Sequence, residues 1–256
     1  MPDEPSTSSA GIPGASAAKR NEWLDPSQQR WGLGEVAVGF LLAQALAVLG
    51  SVVVFSAAGW TTSSQVPMWA AAVLQVPLWG GYLGAVYLAG IKGRGVAADF
   101  GLSFRPLDVP VGLAAGVVVQ LIVVPLLYVP ILRLTGTDSN DLSAPARALA
   151  DKATGPVGWL LLVLIVVVGA PVVEELFFRG LFLRSLQKHG LPDWAAIVIC
   201  AAVFGAVHFQ LLQFVGLFAI GLVLSTMAVR TGRLGLSIFT HMGFNATSVA
   251  LLYLSA

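Results

Sequence analysis

The stretch Val157–Arg179, which reads VGWLLLVLIVVVGAPVVEELFFR, decides the fold of this 256-residue chain. Up to Val173 it is sequence suited to the hydrocarbon core of a bilayer. Two adjacent acids, Glu174 and Glu175, then interrupt it, and beyond them the chain contains a single further acid, Asp193. A charge near the bilayer centre costs at least about 2.5–3.5 kcal/mol on the insertion scale. The paired glutamates therefore predict a functional site at membrane depth.

Composition points to an integral membrane protein. Hydrophobic residues make up 57% of the chain and charged residues 11%, with a mean hydropathy of +0.83. Soluble domains average about 25% charged residues. The net charge of +1 gives no support to nucleic-acid binding, so the predicted partner surface is the lipid bilayer. The single cysteine, Cys200, excludes an internal disulfide and a cysteine-rich metal site, and we expect it to pack in the core.

The apolar runs predict an all-α polytopic membrane protein whose helices enclose an intramembrane catalytic cavity. A spanning helix needs about 20 apolar residues. Seven runs are this long or nearly so: 34–58, 68–91, 109–133, 157–186, 194–210, 212–229 and 235–255. An eighth span stays open. The fifth and sixth runs are short, and we expect them to form a hairpin at Gln210–Gln213.

The chain divides into a tail and one membrane domain. Residues 1–30 are rich in Pro, Ser, Ala and Gly and predict a disordered tail. They lack the basic start and apolar region of a secretory signal. Residues 31–256 form the predicted membrane domain, with the catalytic region at 157–256. The segment 134–156 is expected to be a plain solvated connection on the outer side.

The distribution of basic residues predicts the orientation. An N-terminus in the cytoplasm gives three basic residues outside and ten inside, as the positive-inside rule requires. The outer three are Arg133, Arg147 and Lys152, and the inner ten are Lys19, Arg20, Arg30, Lys92, Arg94, Arg105, Arg184, Lys188, Arg230 and Arg233. The composition, rich in Ala and Gly, suggests a bacterial source. We therefore expect a bacterial cytoplasmic membrane protein with its N-terminus in the cytoplasm.

The first of three polar elements is Glu174-Glu175-Leu176-Phe177-Phe178-Arg179. Glu175 and Arg179 are four residues apart on a helix and can pair. Glu174 points about 100° away and stays free for chemistry. Pro171, three residues upstream, removes a backbone hydrogen bond and can bend the helix.

The other two elements each hold a histidine. Phe204 lies one turn before His208 on the fifth run, and His241 lies one turn before Asn245 on the last. At about 1.5 Å per residue from the predicted cytoplasmic ends, Glu174 and both histidines fall at depths that one cavity can contain.

These residue types suit hydrolysis of an amide or similar bond. Burial of Glu174 in an apolar cavity would make it a better base for water, and a neutral His208 could hold the same water. His241 and Asn245 could donate to a developing oxyanion. In the alternative, Glu174, His208 and His241 bind Zn²⁺ directly. The residues do not separate the two mechanisms, so no cofactor is assigned and zinc stays open.

Each element also has a purely structural interpretation. Glu175 and Arg179 alone form an ordinary ion pair. His208 or Asn245 alone would be a hydrogen bonder between helices, and Phe204 alone would be core, shaping the pocket at most. What favours function is the joint pattern, because nearly all titratable groups of the C-terminal helices fall into these three elements.

The three elements resemble the motifs of the CPBP family, also called the Abi or CAAX-protease-like family: E-E-x-x-x-R, then F-x-x-x-H, then H-x-x-x-N. Here they read EELFFR at 174–179, FGAVH at 204–208 and HMGFN at 241–245, in the same order and without substitution. The resemblance covers about residues 157–256.

The resemblance implies an intramembrane endopeptidase of glutamic or metallo type. It assigns Glu174 as the water-activating base, His208 as its partner on the water, and His241 and Asn245 as oxyanion donors. Glu175 and Arg179 brace the first motif. The family includes prenyl endopeptidases that remove three C-terminal residues from prenylated proteins, and members linked to bacteriocin immunity. The implied substrate is a membrane-embedded or lipidated peptide or protein.

Two other classes of function stay open at this point. A proton- or ion-coupled transporter could use the Glu and His residues as a relay, although the sequence shows no internal repeat. A non-catalytic bacteriocin-immunity or scaffold protein could retain the motifs as a relic. Other intramembrane protease classes fit poorly, because the HExxH, Gly-x-Ser-Gly and Gly-x-Gly-Asp motifs are missing from the sequence.

Overall fold

The computed structural model describes residues 30–255, and its regular elements in that range are all helical. In chain order they are α1 (Leu33–Ala58), a 3₁₀ turn (Ser63–Gln65), α2 (Met68–Ile91), α3 (Val96–Phe100), α4 (Asp108–Thr135), α5 (Ser139–Ala150), α6 (Gly155–Lys188), α7 (Asp193–Ala206), α8 (Phe214–Thr231) and α9 (Gly235–Leu254). The predicted all-α fold is confirmed. The predicted disordered tail lies, up to residue 29, outside the described residues.

Five of the described helices, α1, α2, α4, α6 and α8, are long and apolar enough to cross a membrane. On α1, large apolar side chains such as Leu41 and Val48 lie on the outside of the bundle, as contact with lipid requires. α7 has only 14 residues, and polar residues such as His241 and Asn245 lower the hydropathy of α9. The count of seven spans includes these two helices and stays a prediction.

Helix α6 lies at the centre of the bundle, where it contacts α1, α2, α7, α8 and α9. Helix α9, which carries His241, packs closely along α4. Glycines make this possible: a Cβ on Gly116 would lie 2.2 Å from the Thr240 carbonyl oxygen, and one on Gly243 would lie 2.4 Å from that of Leu113. Small residues of this kind let membrane helices approach closely. The α4–α9 contact therefore fixes the height of His241.

A polar network joins several helices at one end of the bundle. The Asp99 carboxylate is buried there and accepts hydrogen bonds from Trp31 Nε1 and Arg94 N. Arg184, near the end of α6, donates to the backbone carbonyls of Asp99 and Gly232. Because Gly232 lies in the short turn between α8 and α9, this network ties the end of α6 to that turn and helps to set the register between the two motif-bearing helices.

Two sequence expectations need correction. The segment 134–156 is more than a plain connection, because it contains α5; Asp138 caps this helix by accepting a hydrogen bond from Asn140 N at 2.8 Å. The fifth predicted helix ends earlier than expected, at Ala206, so that His208 lies in the turn beyond it. Cys200 is fully buried, as predicted.

Candidate active site

Helix α6 changes its winding around the two glutamates. Its backbone widens into π-helical turns at Val163–Gly169 and Glu175–Phe182. Between them, Pro171 lacks the N–H that would bond to the carbonyl of residue 167 in an α-helix or 166 in a π-helix. Such π turns often occur at functional sites. The acids thus lie where the regular helix ladder is interrupted, and not in a uniform helix.

Asn245 of α9 supplies a donor to this interrupted ladder. Its Nδ2 donates a hydrogen bond to the Val166 carbonyl oxygen at 2.7 Å. An unsatisfied carbonyl in the hydrocarbon region costs several kcal/mol, so the amide compensates for the N–H that Pro171 lacks. The bond uses one of the two amide hydrogens of Asn245 and leaves one for another acceptor.

Glu175 and Arg179 form an ion pair in the fully buried interior. Arg179 Nη1 lies 2.9 Å from Glu175 Oε1, and both side chains are 0% exposed. The pairing predicted from their spacing is confirmed. Removal of one partner from a buried pair leaves an uncompensated charge, which typically destabilises by about 3–5 kcal/mol. The pair is therefore a fixed electrostatic element of the protein interior.

Helix α8 holds the other side of the Arg179 guanidinium. Nη2 donates to the Gly221 carbonyl oxygen at 3.2 Å, and Nε donates to Ser225 Oγ at 3.3 Å. The guanidinium carbon also lies 4.3 Å from the centre of the Phe204 ring, a cation–π contact. Sequence reasoning missed Ser225; a serine within an apolar helix is a weak signal, and only its position opposite Arg179 gives it meaning.

His241 lies between the two glutamates. Its Nδ1 is 3.1 Å from Glu175 Oε1, and its Nε2 is 3.8 Å from Glu174 Oε2. An ionised carboxylate only accepts hydrogen bonds, so the contact with Glu175 places a hydrogen on Nδ1. In the neutral ring, Nε2 then carries a lone pair directed toward Glu174.

Exposure separates the two acids. The Glu174 side chain is 21% exposed, whereas that of Glu175 is 0% exposed. Glu175 is engaged by Arg179 and His241, and Glu174 lies at the edge of the same cluster with room for another ligand. This is the division between the acids that their helical spacing predicts.

Phe204 packs against both motif histidines. Its ring centre lies 5.0 Å from that of His208 and 5.7 Å from that of His241, edge to face in both cases. His208 Nδ1 contacts the Phe204 carbonyl oxygen at 2.8 Å, which turns the ring back onto its own helix end. Within the described chain, His208 makes no hydrogen bond or ion pair with Glu174. The structure thus brings His241 Nε2 within 3.8 Å of Glu174, whereas His208 makes no direct polar contact with that acid in the described chain.

The zinc alternative does not fit this arrangement. Among residues 30–255, no group of three His, Cys, Asp or Glu side chains is arranged to hold a metal ion. Of the proposed ligands, Glu174 and His241 lie 3.8 Å apart, and His208 does not join them in a three-ligand group. We therefore derive no step through a metal.

Two further polar groups next to the motif helix were missed in the sequence. Tyr82 on α2 stacks on Phe177, with ring centres 4.3 Å apart, and its hydroxyl accepts a hydrogen bond of 3.1 Å from Gln44 Nε2 on α1. The signal in the sequence was weak, because Gln44 and Tyr82 are polar residues in mainly apolar runs that also contain Gln75 and Tyr87. Their proximity to the acids depends on the packing of α2 against α6.

Comparison with known proteins finds a family match in the second half of the chain. Residues 156–247 match the family model described as type II CAAX prenyl endopeptidase Rce1-like. The chain is also 33% identical over 111 residues to an Escherichia coli protein described as an uncharacterized 24.3 kDa protein. That alignment covers 42% of this chain and 49% of the relative, so the chain spans about half the length of the curated relative it matches. No solved structure matches.

The matched region runs from the start of α6 into α9. It contains all three motifs at 174–179, 204–208 and 241–245, together with the helices that bring the first and last into contact. The resemblance seen in the motifs is confirmed by this match, in which residues 156–247 are similar to the Rce1-like type II CAAX prenyl endopeptidases.

Proposed function

We propose that this protein is an intramembrane endopeptidase in which Glu174 activates water for attack on a peptide bond. The observation that carries the proposal is the position of the partly open Glu174 carboxylate 3.8 Å from Nε2 of a buried histidine. The other nitrogen of that histidine is held by the buried Glu175–Arg179 pair. A carboxylate with an oriented imidazole beside it is an arrangement for general acid–base chemistry.

The pairing of charges in this cluster supports a functional role for Glu174. Arg179 neutralises Glu175 and makes three further contacts, so this pair is accounted for structurally. Glu174 is left as the second acid, without a hydrogen bond or a basic partner other than His241 in the described residues. An ionisable group at membrane depth is expensive, and its retention points to a task.

In the proposed reaction, a water molecule lies beside Glu174 and His241 and contacts both the Glu174 carboxylate and His241 Nε2. Glu174 takes a proton from this water as its oxygen bonds to the substrate carbonyl carbon. The carbonyl π electrons move to the carbonyl oxygen, and the tetrahedral intermediate forms. When the C–N bond breaks, Glu174 passes its proton to the leaving nitrogen.

The remaining motif residues have supporting tasks in this proposal. Glu175 fixes the tautomer and orientation of His241, as the acid does in an acid–histidine–nucleophile triad. The second amide hydrogen of Asn245 is available to an oxyanion. His208 packs against Phe204 in the turn that follows α7. We assign it to the substrate side of the site. The family resemblance implies that His208 is the partner on the water, and we propose that His241 also contacts this water, because its Nε2 lies 3.8 Å from Glu174 Oε2.

The substrate class follows from the location of the site. Its residues lie on helices whose outer faces are apolar, so a substrate must reach them from lipid or carry a lipid anchor. We therefore propose membrane-embedded or lipidated peptides and proteins as substrates, consistent with the Rce1-like family description.

The proposal is tested by quantitative profiling of new peptide ends in the membrane proteome. Cells producing the wild type are compared with cells producing Glu174→Gln at matched levels. Glu35→Gln is the control, because Glu35 also lies on a spanning helix but pairs with Lys92 at 2.7 Å, away from the cluster. We expect a set of ends that is present with the wild type and Glu35→Gln and lost with Glu174→Gln. Identical profiles for all three folded proteins would contradict the proposal and favour transport or scaffolding.

A further inference from the structure

Tyr82 is a buried phenol beside the catalytic helix but outside the three motifs. It is 4% exposed, and its ring packs on Phe177 and Phe178 with centres 4.3 and 5.9 Å apart. Phe177 and Phe178 follow Glu174 by three and four residues, so they continue the face of α6 that begins with that acid. The Tyr82 ring accordingly packs on the part of α6 that directly follows Glu174.

A close helix crossing holds this hydroxyl in place. A Cβ on Gly81 of α2 would lie 2.3 Å from Ala43 Cα of α1. The two residues next to this crossing are Tyr82 and Gln44, and the crossing brings the Gln44 amide to 3.1 Å from the phenol oxygen. Gln44 therefore acts as a fixed brace for the hydroxyl.

The hydrogen of the Tyr82 hydroxyl is not used in the bond with Gln44. Nε2 of Gln44 can only donate, so the phenol oxygen is the acceptor in this bond. The phenol hydrogen must then point elsewhere, and within residues 30–255 it meets no acceptor. A buried hydroxyl that keeps a free hydrogen next to the helix that carries Glu174 is available to donate to a third group.

The motif residues themselves offer few neutral donors. One amide hydrogen of Asn245 is used by the Val166 carbonyl, and the hydrogen of neutral His241 lies on Nδ1 against Glu175. His241 could donate through Nε2 only as an imidazolium. The motif residues therefore offer an oxyanion beside Glu174 one neutral donor, the second amide hydrogen of Asn245, and leave room for a further donor.

We propose that Tyr82 is a catalytic residue whose hydroxyl donates a hydrogen bond to the carbonyl oxygen of the scissile peptide bond as that oxygen becomes negatively charged. This inference rests on the proposed peptidase function and deepens it. The phenol keeps its proton throughout: water loses its proton to Glu174, the C–O bond forms, and the new charge on oxygen is shared with the Tyr82 hydroxyl. Tyr82 lies outside residues 156–247, so this donor belongs to the part of the chain that the family model does not match.

The test compares Tyr82→Phe with Tyr87→Phe in the purified protein reconstituted in lipid vesicles. Tyr87 lies on the same helix but is 62% exposed, so its change serves as a matched control. The probe is a synthetic peptide that spans a cleavage site found by profiling of peptide ends. Loss of one oxyanion donor typically lowers kcat by about 10²–10³-fold. We expect kcat to fall at least about 10-fold for Tyr82→Phe with little change in KM, and wild-type values for Tyr87→Phe.

Two further variants keep the result decisive. Gln44→Leu removes the hydrogen bond to the phenol oxygen but keeps the phenol. We expect its kcat to lie between those of the wild type and Tyr82→Phe. If Tyr82→Phe does not fold, Gln44→Leu takes its place in the test. Wild-type kcat in a folded Tyr82→Phe protein, or in Gln44→Leu when it takes that place, overturns the inference. Glu174→Gln is measured in parallel. An inactive Glu174→Gln beside a fully active Tyr82→Phe contradicts the role of Tyr82 alone, whereas a fully active Glu174→Gln contradicts the proposed function as well.

Discussion

The side-chain amide of Asn245 donates a hydrogen bond to the backbone carbonyl of Val166, 2.7 Å away, and so joins α9 to the widened part of α6. Pro171 makes this bond necessary, because it cannot supply the N–H that the α6 ladder would otherwise use. The hydrogen bond between Asn245 and Val166 joins α9 to α6, as does the contact between His241 and Glu175. One residue that the family motif assigns to chemistry thus also holds the site together.

The first prediction concerns this bond. Asn245→Leu removes the donor and leaves the Val166 carbonyl unpaired, so it should lower the free energy of unfolding by about 1–2 kcal/mol. Unfolding in detergent, followed by circular dichroism, measures the change. Ser248→Ala is the control, because Ser248 bonds only to the Phe244 carbonyl of its own helix. Equal stabilities for the two variants would show that the inter-helix bond contributes nothing.

The second prediction concerns the buried ion pair. Arg179→Met leaves the Glu175 charge uncompensated in the interior and should destabilise the protein by about 3–5 kcal/mol. The double variant Glu175→Gln, Arg179→Met removes both charges and should recover part of that loss. Denaturant unfolding of the two variants compares them. A double variant less stable than Arg179→Met would contradict the assignment of Glu175 as the charge that Arg179 neutralises.

The third prediction separates the two glutamates by activity. Glu175→Gln weakens the hold on His241 Nδ1 but keeps Glu174, so it should lower kcat about 10–100-fold, as loss of an orienting partner does. Glu174→Gln should reduce activity to background. Steady-state hydrolysis of the profiled peptide measures both, with His241 present in each variant. The reverse order, in which Glu175→Gln is the inactive variant, would assign the base to Glu175.

The fourth prediction concerns the glycines between α4 and α9. Gly243→Ala places a methyl group 2.4 Å from the Leu113 carbonyl oxygen, so α9 must shift. We expect a loss of stability of about 1–3 kcal/mol, as for overpacking, and a fall in activity because His241 moves with the helix. Gly84→Ala has nothing within 4 Å of the added carbon and should be neutral. Thermal unfolding and peptide hydrolysis of both variants check the pair; a neutral Gly243→Ala would refute the close contact.

The fifth prediction concerns orientation. With Cys200 replaced by Ser, a single cysteine at Arg230 (Arg230→Cys) should resist a membrane-impermeant thiol reagent in intact cells, and one at Arg133 (Arg133→Cys) should react. Both positions are exposed at helix ends, so a difference reports the side of the membrane. The opposite labelling pattern would overturn the cytoplasmic placement of the N-terminus.

Much of the fold could be predicted from apolar runs. The starts and ends of α1 and α2 fall within one residue of the predictions, because their flanks contain clear turn sequences. The helix predicted for the fifth run ends at Ala206 and not at residue 210. The sequence did not indicate this end, because hydropathy does not change where the backbone turns at Val207 and His208. The short helix α5 was missed because its residues are polar enough to suggest a loop, although Asp138 is a good helix cap.

The site could be predicted only in part. Helical spacing indicated the Glu175–Arg179 pair and the division between the two acids, since both depend on positions four residues or fewer apart. The contact of His241 with both acids joins residues more than 60 positions apart and depends on how α9 packs. The second function of Asn245 and the position of Tyr82 depend on the same kind of packing, which a single sequence does not specify.

The central claim is that Glu174 activates the water that cleaves a peptide bond. The most direct test is the initial rate of hydrolysis of one profiled peptide by purified protein in lipid vesicles, for the wild type and for Glu174→Gln at equal protein content. We predict cleavage by the wild type and a rate for Glu174→Gln indistinguishable from empty vesicles, with both proteins folded. Equal rates for the two proteins would contradict the claim.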